Sequence, residues 1–212
     1  MPLIYRNRLA DKAELGIWKI TETDDCFKKQ LRLNNNEILE LDQLSPKKKT
    51  EWLASRCLLH FLLGQTDRIS TERDQMGKPY LTNSEKYISL SHSADLAAVI
   101  ISNKASGIDI QHYTPKIERI ATKFMSEPDF QNLSETNRQQ HLTVYWGAKE
   151  SLYKAYGKRL LDFKEHILIS KLNYTESGGM GLGKVKKDSF ESSYRIYFFC
   201  EKDFSLTYCL EE

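Results

Sequence analysis

The chain has 212 residues, of which 40% are hydrophobic and 28% charged, a balance typical of a globular protein with a buried core. Its formal net charge of +2 is too small to indicate a nucleic-acid partner, and no run approaches the roughly 20 apolar residues of a membrane span. Charged residues near the N-terminus argue against a secretory signal, and four scattered cysteines indicate reduced thiols in a cytoplasmic protein.

The first half of the chain reads as strands, a helix and more strands. Two short apolar runs, PLIY and LGIWKI, predict strands. Leu44 to Gly64 predicts an amphipathic helix, because Ser45 can cap it, Pro46 suits its first position and apolar residues recur at helical spacing. YISLSHS, LAAVIIS and GIDIQ, the last after a Gly-containing turn, then predict three strands.

The second half repeats this order loosely. A helix from about Ser134 to Tyr156 is followed by HILISKL, GKVKKD and SYRIYFFCEKDFSLTYCL, which predict strands with a tight KD turn. A long helix followed by antiparallel strands thus occurs twice, which predicts an α+β fold of two similar halves, residues 1–105 and 106–212. A cleft between the halves would be the natural ligand site.

GIDIQ places two polar side chains on one face of a strand. Alternate strand residues point the same way, so Asp109 and Gln111 lie together while Ile108 and Ile110 pack behind them. The aspartate is either an edge-strand acid that faces solvent or a rigidly held oxygen ligand for Mg²⁺.

SLSHS puts Ser91, His92 and Ser93 at the predicted turn between two apolar runs. No G-x-S-x-G elbow accompanies them, which argues against a Ser–His hydrolase. These side chains are either ordinary turn residues or donors to a phosphate or nucleotide.

MGKPYL combines Gly77 for a tight turn with Pro79 to stiffen the backbone beyond Lys78. The lysine is either a surface residue or a phosphate contact projected from a fixed loop.

GGMGLGK has the spacing of a phosphate-binding P-loop, but Val185 follows where the motif needs Ser or Thr. KVKKD also predicts a strand, so the helix N-terminus that would bind an anion is missing. We interpret the segment as a flexible hairpin.

YWGAKESLYKAYGK carries charged residues at helical spacing. Trp146, Glu150 and Lys154 fall on one helix face, since they are separated by four residues. Taken alone, the pair predicts only a solvated ion pair that stabilises the helix by about 0.2–0.5 kcal/mol.

Four segments resemble, in their order and spacing, the motifs of the 4′-phosphopantetheinyl transferase superfamily. They are GKP, SLSHS, GIDIQ and WGAKESLYKA. The length is similar to that of the larger single-chain class, which acts on peptide-synthetase and fatty-acid carrier proteins. The resemblance spans about Ser45 to Ala155 and is most specific in GIDIQ followed by W-x-x-K-E-x-x-x-K. It implies two similar α+β halves related by a pseudo-two-fold axis, with the active site in the cleft between them.

The resemblance also implies a reaction, in which the phosphopantetheine arm of coenzyme A passes to a serine of an apo carrier protein and 3′,5′-ADP is released. Asp109 and Glu150 would bind Mg²⁺ against the diphosphate. Glu150 would also accept the serine proton, and Lys154 would offset charge on the departing ADP.

Other positions match family contacts to the nucleotide. These are Lys78 and His92 at the phosphates with Ser91 beside them, Arg56 at the 3′-phosphate, and Lys49, which lies seven residues earlier on the same helix face as Arg56. For Lys49 a solvated basic face is the alternative.

One position departs from the family. The second acid of G-x-D-x-E is Gln111 here, and a neutral amide oxygen is a poorer magnesium ligand than a carboxylate. We expect water or Gln111 Oε1 to fill that place. Trp146 is expected to pack, and the role of Lys149 stays open.

Two other functions are compatible with parts of the pattern. Gln111 favours a degenerate binding module that holds coenzyme A or a carrier protein without turnover. A metal-dependent nuclease also uses two acids and a lysine, but would carry a stronger basic and aromatic surface.

The expected protein partner is an acidic carrier protein, with Lys47–Lys49 and Lys184–Lys187 as candidate basic patches that would steer it. A monomer is the default expectation, since nothing in the sequence fixes an oligomeric state.

Overall fold

The computed structural model describes residues 3–9, 12–65, 67 and 69–212. Pro2, predicted to open the first strand, lies outside the described residues. The chain divides into two compact units, Met1–Asn103 and Lys104–Glu212.

The first unit contains three helices and six strands among its described residues. In chain order these are β1 (Leu3–Arg8), β2 (Glu14–Lys19), α1 (Asp24–Leu31), α2 (Asn35–Asp42), α3 (Pro46–Leu63), β3 (Thr71–Arg73), β4 (Pro79–Leu81), β5 (Tyr87–Ser93) and β6 (Leu96–Ser102).

Helix α3 packs on an antiparallel sheet of order β1-β2-β6-β5. Its apolar side chains meet those of the sheet in one core that includes Trp18, Leu58 and Val99. Strands β3 and β4 form a separate hairpin.

The second unit contains three helices and five strands. In chain order these are β7 (Ser106–His112), α4 (Lys116–Phe124), α5 (Glu127–Gln131), α6 (Arg138–Tyr156), β8 (Ile167–Thr175), β9 (Gly178–Lys187), β10 (Phe190–Cys200) and β11 (Phe204–Glu211).

Helix α6 packs on the antiparallel sheet β7-β11-β10-β9-β8. Its closest strands are β7 and β11, which pair so that Asp109 lies opposite Thr207. A second apolar cluster on α6 holds α4 against it through Ile117, Phe124 and Leu142. The helix is therefore covered on both sides, which explains why so many of its residues are buried.

The predicted strands and the two long helices are confirmed by the structure. The α3 helix begins and ends as predicted: Pro46 is its first residue, and Gly64 adopts a positive φ of 61° beyond its end. Helix α6 begins at Arg138, four residues later than the predicted Ser134, whose N–H donates to His141 Nδ1 at 2.9 Å.

Two predictions about loops were wrong. Ser91, His92 and Ser93 belong to β5, where they pair with β6, and the turn lies at Ala94–Asp95. GGMGLGK is not a flexible hairpin loop but the start of β9, paired with a strand on each side. That strand geometry agrees with the rejection of a P-loop, which requires a helix N-terminus.

Four short helices were not predicted: α1, α2, α4 and α5. Their signals are local, since Asn34 and Glu37 form a capping box before α2, and Ser126 and Asp129 form one before α5. Helix α4 buries Ile117, Ala121 and Phe124 at helical spacing.

The mixed helices and antiparallel sheets are consistent with the predicted α+β class. The pseudo-two-fold arrangement with a cleft site stays a prediction. Within the described ranges, no helix is both long and apolar enough to cross a membrane.

Gly107 is a point of close approach between α6 and β7. A Cβ atom at this position would lie 1.9 Å from the backbone oxygen of Ser151 in α6. Ser151 also donates its hydroxyl to the Thr207 carbonyl at 3.0 Å, so the same turn of helix is tied to β11. Gly107 therefore sets the distance between the helix and the strand that carries Asp109.

We expect Gly107→Ala to destabilise the protein by about 3 kcal/mol or more, because helix backbone cannot move aside as a flexible side chain can. Gly64→Ala is the matched control: a methyl group there would meet no described atom within 4 Å, and its positive φ costs about 1–2 kcal/mol. Chemical denaturation measures both, and equal losses would contradict the close approach at Gly107.

Candidate active site

The two segments with the most specific motifs meet in the second unit. Lys154 on α6 places its ammonium 2.7 Å from Asp109 Oδ1 and 2.9 Å from the Ile108 carbonyl oxygen. Asp109 is only 6% exposed, whereas the Lys154 side chain is 26% exposed. The lysine thus ties the helix to β7 and compensates the charge of a buried carboxylate.

Glu150 lies one helical turn before Lys154 and is half-buried. Burial, followed by the negative charge of Asp109, raises the pKa of Glu150 to about 7, and the positive charge of Lys154 only partly opposes this. The two carboxylates are therefore close enough to repel each other. Near neutral pH Glu150 can both hold and release a proton.

These residues fit a divalent cation with few protein ligands. Carboxylate oxygens are ligands that Mg²⁺ prefers, and it commonly uses one or two of them together with substrate phosphates. Gln111 is two residues beyond Asp109 on the same face of β7 and is half-buried. The part of the chain that the structure describes holds no group of three or more His, Cys, Asp or Glu residues arranged to bind a metal ion. A cation here would rely on Asp109, Glu150 and oxygens of the substrate.

Lys149, whose role the sequence left open, points away from these carboxylates. It is 1% exposed, and its ammonium lies 3.1 Å from Asp129 Oδ2 and donates to the Phe163 carbonyl at 2.8 Å. Asp129 in turn accepts hydrogen bonds from the backbone and hydroxyl of Ser126. Lys149 therefore joins α6 to α5 and to the segment after α6.

Phe163 packs along the same side of α6. Its ring stacks on Trp146 at 5.6 Å and on Tyr153 at 5.5 Å, while Phe124 contacts the other edge of Trp146 at 5.1 Å. Trp146 is thus a packing residue, as predicted. Together with the Lys149 contact, this stacking holds the chain after α6 against the helix.

The candidate residues on α3 are largely engaged within the first unit. Arg56 is 6% exposed, stacks over Trp52 at 4.3 Å and donates to the Ser55 hydroxyl at 3.2 Å. Lys49 is half-buried and lies 3.6 Å from Asp42. These contacts fit residues that stabilise α3, and a nucleotide role for either one stays a prediction.

The candidates on β5 and the β3–β4 hairpin are more accessible. His92 is exposed and lies 3.1 Å from the buried Glu51, whereas Ser91 is buried. Lys78 follows a turn at Gly77 with a φ of 86°, as predicted, and its ammonium lies 6.0 Å from the Tyr87 ring centre. Each side chain has a defined neighbour, and a phosphate contact by either one stays a prediction.

The predicted basic patches carry less free charge than their sequences suggest. Lys184 and Lys186 both pair with Glu191 across the β9–β10 ladder. Lys47 lies 3.8 Å from Glu51. Steering of an acidic partner by these patches stays a prediction.

The part of the chain that carries Asp109, Glu150 and Lys154 is similar to known proteins. Residues 105–209 match the profile of the 4′-phosphopantetheinyl transferase superfamily. This segment belongs to that superfamily. The chain is also 28% identical over 111 residues to a 4′-phosphopantetheinyl transferase, gsp, of Aneurinibacillus migulanus. That alignment covers 51% of this chain and 46% of the relative, so the chain matches about half of the relative's length.

The part of the chain that matches the 4′-phosphopantetheinyl transferase profile contains Asp109 and the other candidate residues of the second unit. Gln111, Lys149, Glu150 and Lys154 lie within it, whereas Lys78 and the other nucleotide-side candidates precede it. Sequence reasoning missed Gly107, Gly147 and Thr207 as parts of this site. Gly107 and Gly147 stand inside the quoted motifs, but only the packing of α6 on the sheet shows why a side chain would not fit at these positions.

We expect the stability of the protein to fall with rising pH relative to a Glu150→Gln variant. The raised pKa means that the folded state binds this proton more tightly, so the contribution is complete below about pH 4.5 and is lost as pH rises through about 7. The loss should reach up to about 3 kcal/mol. Urea unfolding from pH 5 to pH 8 measures it, and parallel curves for both proteins would contradict the raised pKa.

We expect Lys149→Met to destabilise the protein by about 3–5 kcal/mol, because it leaves the Asp129 carboxylate buried without its cation. The double variant Lys149→Met/Asp129→Asn removes both charges and keeps an amide oxygen for Ser126, so it should regain much of that loss. Denaturant midpoints of the parent, Lys149→Met, Asp129→Asn and the double variant test this. Additive losses in the double variant would show that the ion pair is not what matters.

Proposed function

We propose that the protein transfers the 4′-phosphopantetheine arm of coenzyme A to a serine of an apo carrier protein and releases 3′,5′-ADP. The proposal is carried by one observation: Asp109, Glu150 and Lys154 form a charged cluster inside the segment that matches the transferase superfamily. In this reaction the serine oxygen forms a bond to the phosphorus that carries the pantetheine arm, and the bond from that phosphorus to the ADP oxygen breaks.

Asp109 and Glu150 would hold Mg²⁺, with Gln111 or water completing the protein side. When bound, the cation would neutralise charge on the diphosphate oxygens. The donor set supports this, since two oxygen anions that repel each other in the free protein gain from a shared cation.

Glu150 would accept the proton of the attacking serine. It is a half-buried carboxylate beside the cation site, so it would take this proton directly or through a water molecule. Lys154 is partly exposed and can exchange its bond to Asp109 for a phosphate oxygen as charge builds on the departing ADP.

The first unit would contribute the nucleotide contacts. Lys78, His92 and Ser91 would lie at the phosphates, and Arg56 at the 3′-phosphate, with Lys49 nearby. Lys78 and His92 are accessible, which supports their proposed contacts to the phosphates. Arg56 is buried, so the support for its contact to the 3′-phosphate is weaker.

The expected partner is an acidic acyl or peptidyl carrier protein, bound by a cytoplasmic monomer. Since Lys184 and Lys186 share Glu191, we expect electrostatic steering at these lysines to be modest and to fade with salt.

We expect Asp109→Ala to lower the rate of transfer by about 100-fold or more, because it removes both a cation ligand and the partner of Lys154. Gln111→Ala should only raise the Mg²⁺ concentration that is needed, since an amide oxygen contributes less. Mass spectrometry of apo carrier proteins incubated with coenzyme A and Mg²⁺ measures both, as a phosphopantetheine adduct on one serine.

Equal and complete losses in both variants would contradict the two-carboxylate account. Calorimetry with coenzyme A separates the rival binding module: tight binding by the parent protein without any adduct on several carriers would support the module and contradict transfer.

A further inference from the structure

Thr207 is a buried polar residue that faces the charged cluster. It lies on β11 directly opposite Asp109 in the antiparallel ladder, so the two side chains share a face of the sheet. It is 1% exposed. None of the four motifs that carry the family resemblance contains it.

The Thr207 hydroxyl and the Asp109 carboxylate both lie close to Gly147 of α6. A Cβ atom at Gly147 would lie 2.7 Å from Thr207 Oγ1 and 3.8 Å from Asp109 Oδ2. Both oxygens are therefore close to one point of the helix backbone. A side chain at Gly147 would occupy the space between the helix and these two oxygens.

Among the described residues, Thr207 Oγ1 has no hydrogen-bond partner, although it is fully buried. Ser151, on the helix above, donates its own hydroxyl to the Thr207 carbonyl at 3.0 Å, so within the described chain it leaves the Thr207 hydroxyl without a partner. A buried hydroxyl without a partner destabilises a fold, and valine would fill the same volume without that cost. The position of this hydroxyl therefore calls for a functional explanation.

We propose that Thr207 is a positioning residue for Asp109 when the site holds its divalent cation. The hydroxyl donates to the Asp109 carboxylate and fixes its orientation once Lys154 no longer does so. This inference rests on the proposed function. Its basis is the placement of the hydroxyl beside the carboxylate, since groups that orient a metal ligand contribute strongly to metal affinity.

The test is a titration of Mn²⁺ into the full-length protein with excess coenzyme A, followed by the electron paramagnetic resonance of free Mn²⁺. Thr207→Val should weaken Mn²⁺ binding by about tenfold or more, while its unfolding stability without metal stays equal to or above that of the parent. Thr207→Ser keeps the hydroxyl and should bind Mn²⁺ like the parent.

Three results would overturn the proposal in distinguishable ways. If Thr207→Val binds Mn²⁺ like the parent while Asp109→Ala has lost binding, the role of Thr207 is contradicted and the cation site itself is not. Equal weakening in Thr207→Ser and Thr207→Val assigns the effect to packing of the methyl groups. A parent protein that binds no Mn²⁺ contradicts both this inference and the cation site of the proposed function.

Discussion

The contact between α6 and β7 is the constraint on which the candidate site depends. Gly107 lets the helix backbone approach the strand, and the bond from Lys154 to Asp109 fixes the register of the two elements. Asp109 and Glu150 are separated by 41 positions in the numbering, and only this packing makes them neighbours. Burial is the main cause of the raised pKa of Glu150, and the negative charge of Asp109 adds to it because the two carboxylates are near each other.

Different faces of α6 serve different purposes. One side presents Glu150 and Lys154 to the strand carboxylate, and the other buries Lys149 against Asp129. Neighbouring residues on a helix point about 100° apart, so the consecutive Lys149 and Glu150 reach different environments. Phe163 stacks on Trp146 and Tyr153 of α6 and holds the chain that follows the helix. The segment YWGAKESLYKAYGK therefore contributes packing contacts as well as charged residues.

Most of the architecture followed from local patterns. The alternation in GIDIQ and the end signals at Pro46 and Gly64 correctly placed a strand and a helix, because those features act within a few residues. The error at Ser91 to Ser93 arose because polar residues suggested a turn where pairing with β6 extends the strand. The partner of Lys149 could not be predicted, since Asp129 reaches it only through the packing of α5.

The same limit applies within the site. Spacing indicated that Glu150 and Lys154 share a helix face, but it could not show that Lys154 bonds to Asp109, nor that Thr207 lies opposite that carboxylate across the β7–β11 ladder. The first relationship joins a helix and a strand 45 residues apart in sequence, and the second joins two strands that are nearly a hundred residues apart.

The central claim is that Asp109 and Glu150 share one divalent cation. Calorimetric titration of Mg²⁺ into the protein with excess coenzyme A, for the parent, Asp109→Asn, Glu150→Gln and the double variant, tests it most directly. The account predicts that each single variant loses nearly all of the Mg²⁺ affinity and that the double variant loses little more. Independent, additive losses, or parent-like affinity in either single variant, would show that the two carboxylates do not hold the same ion.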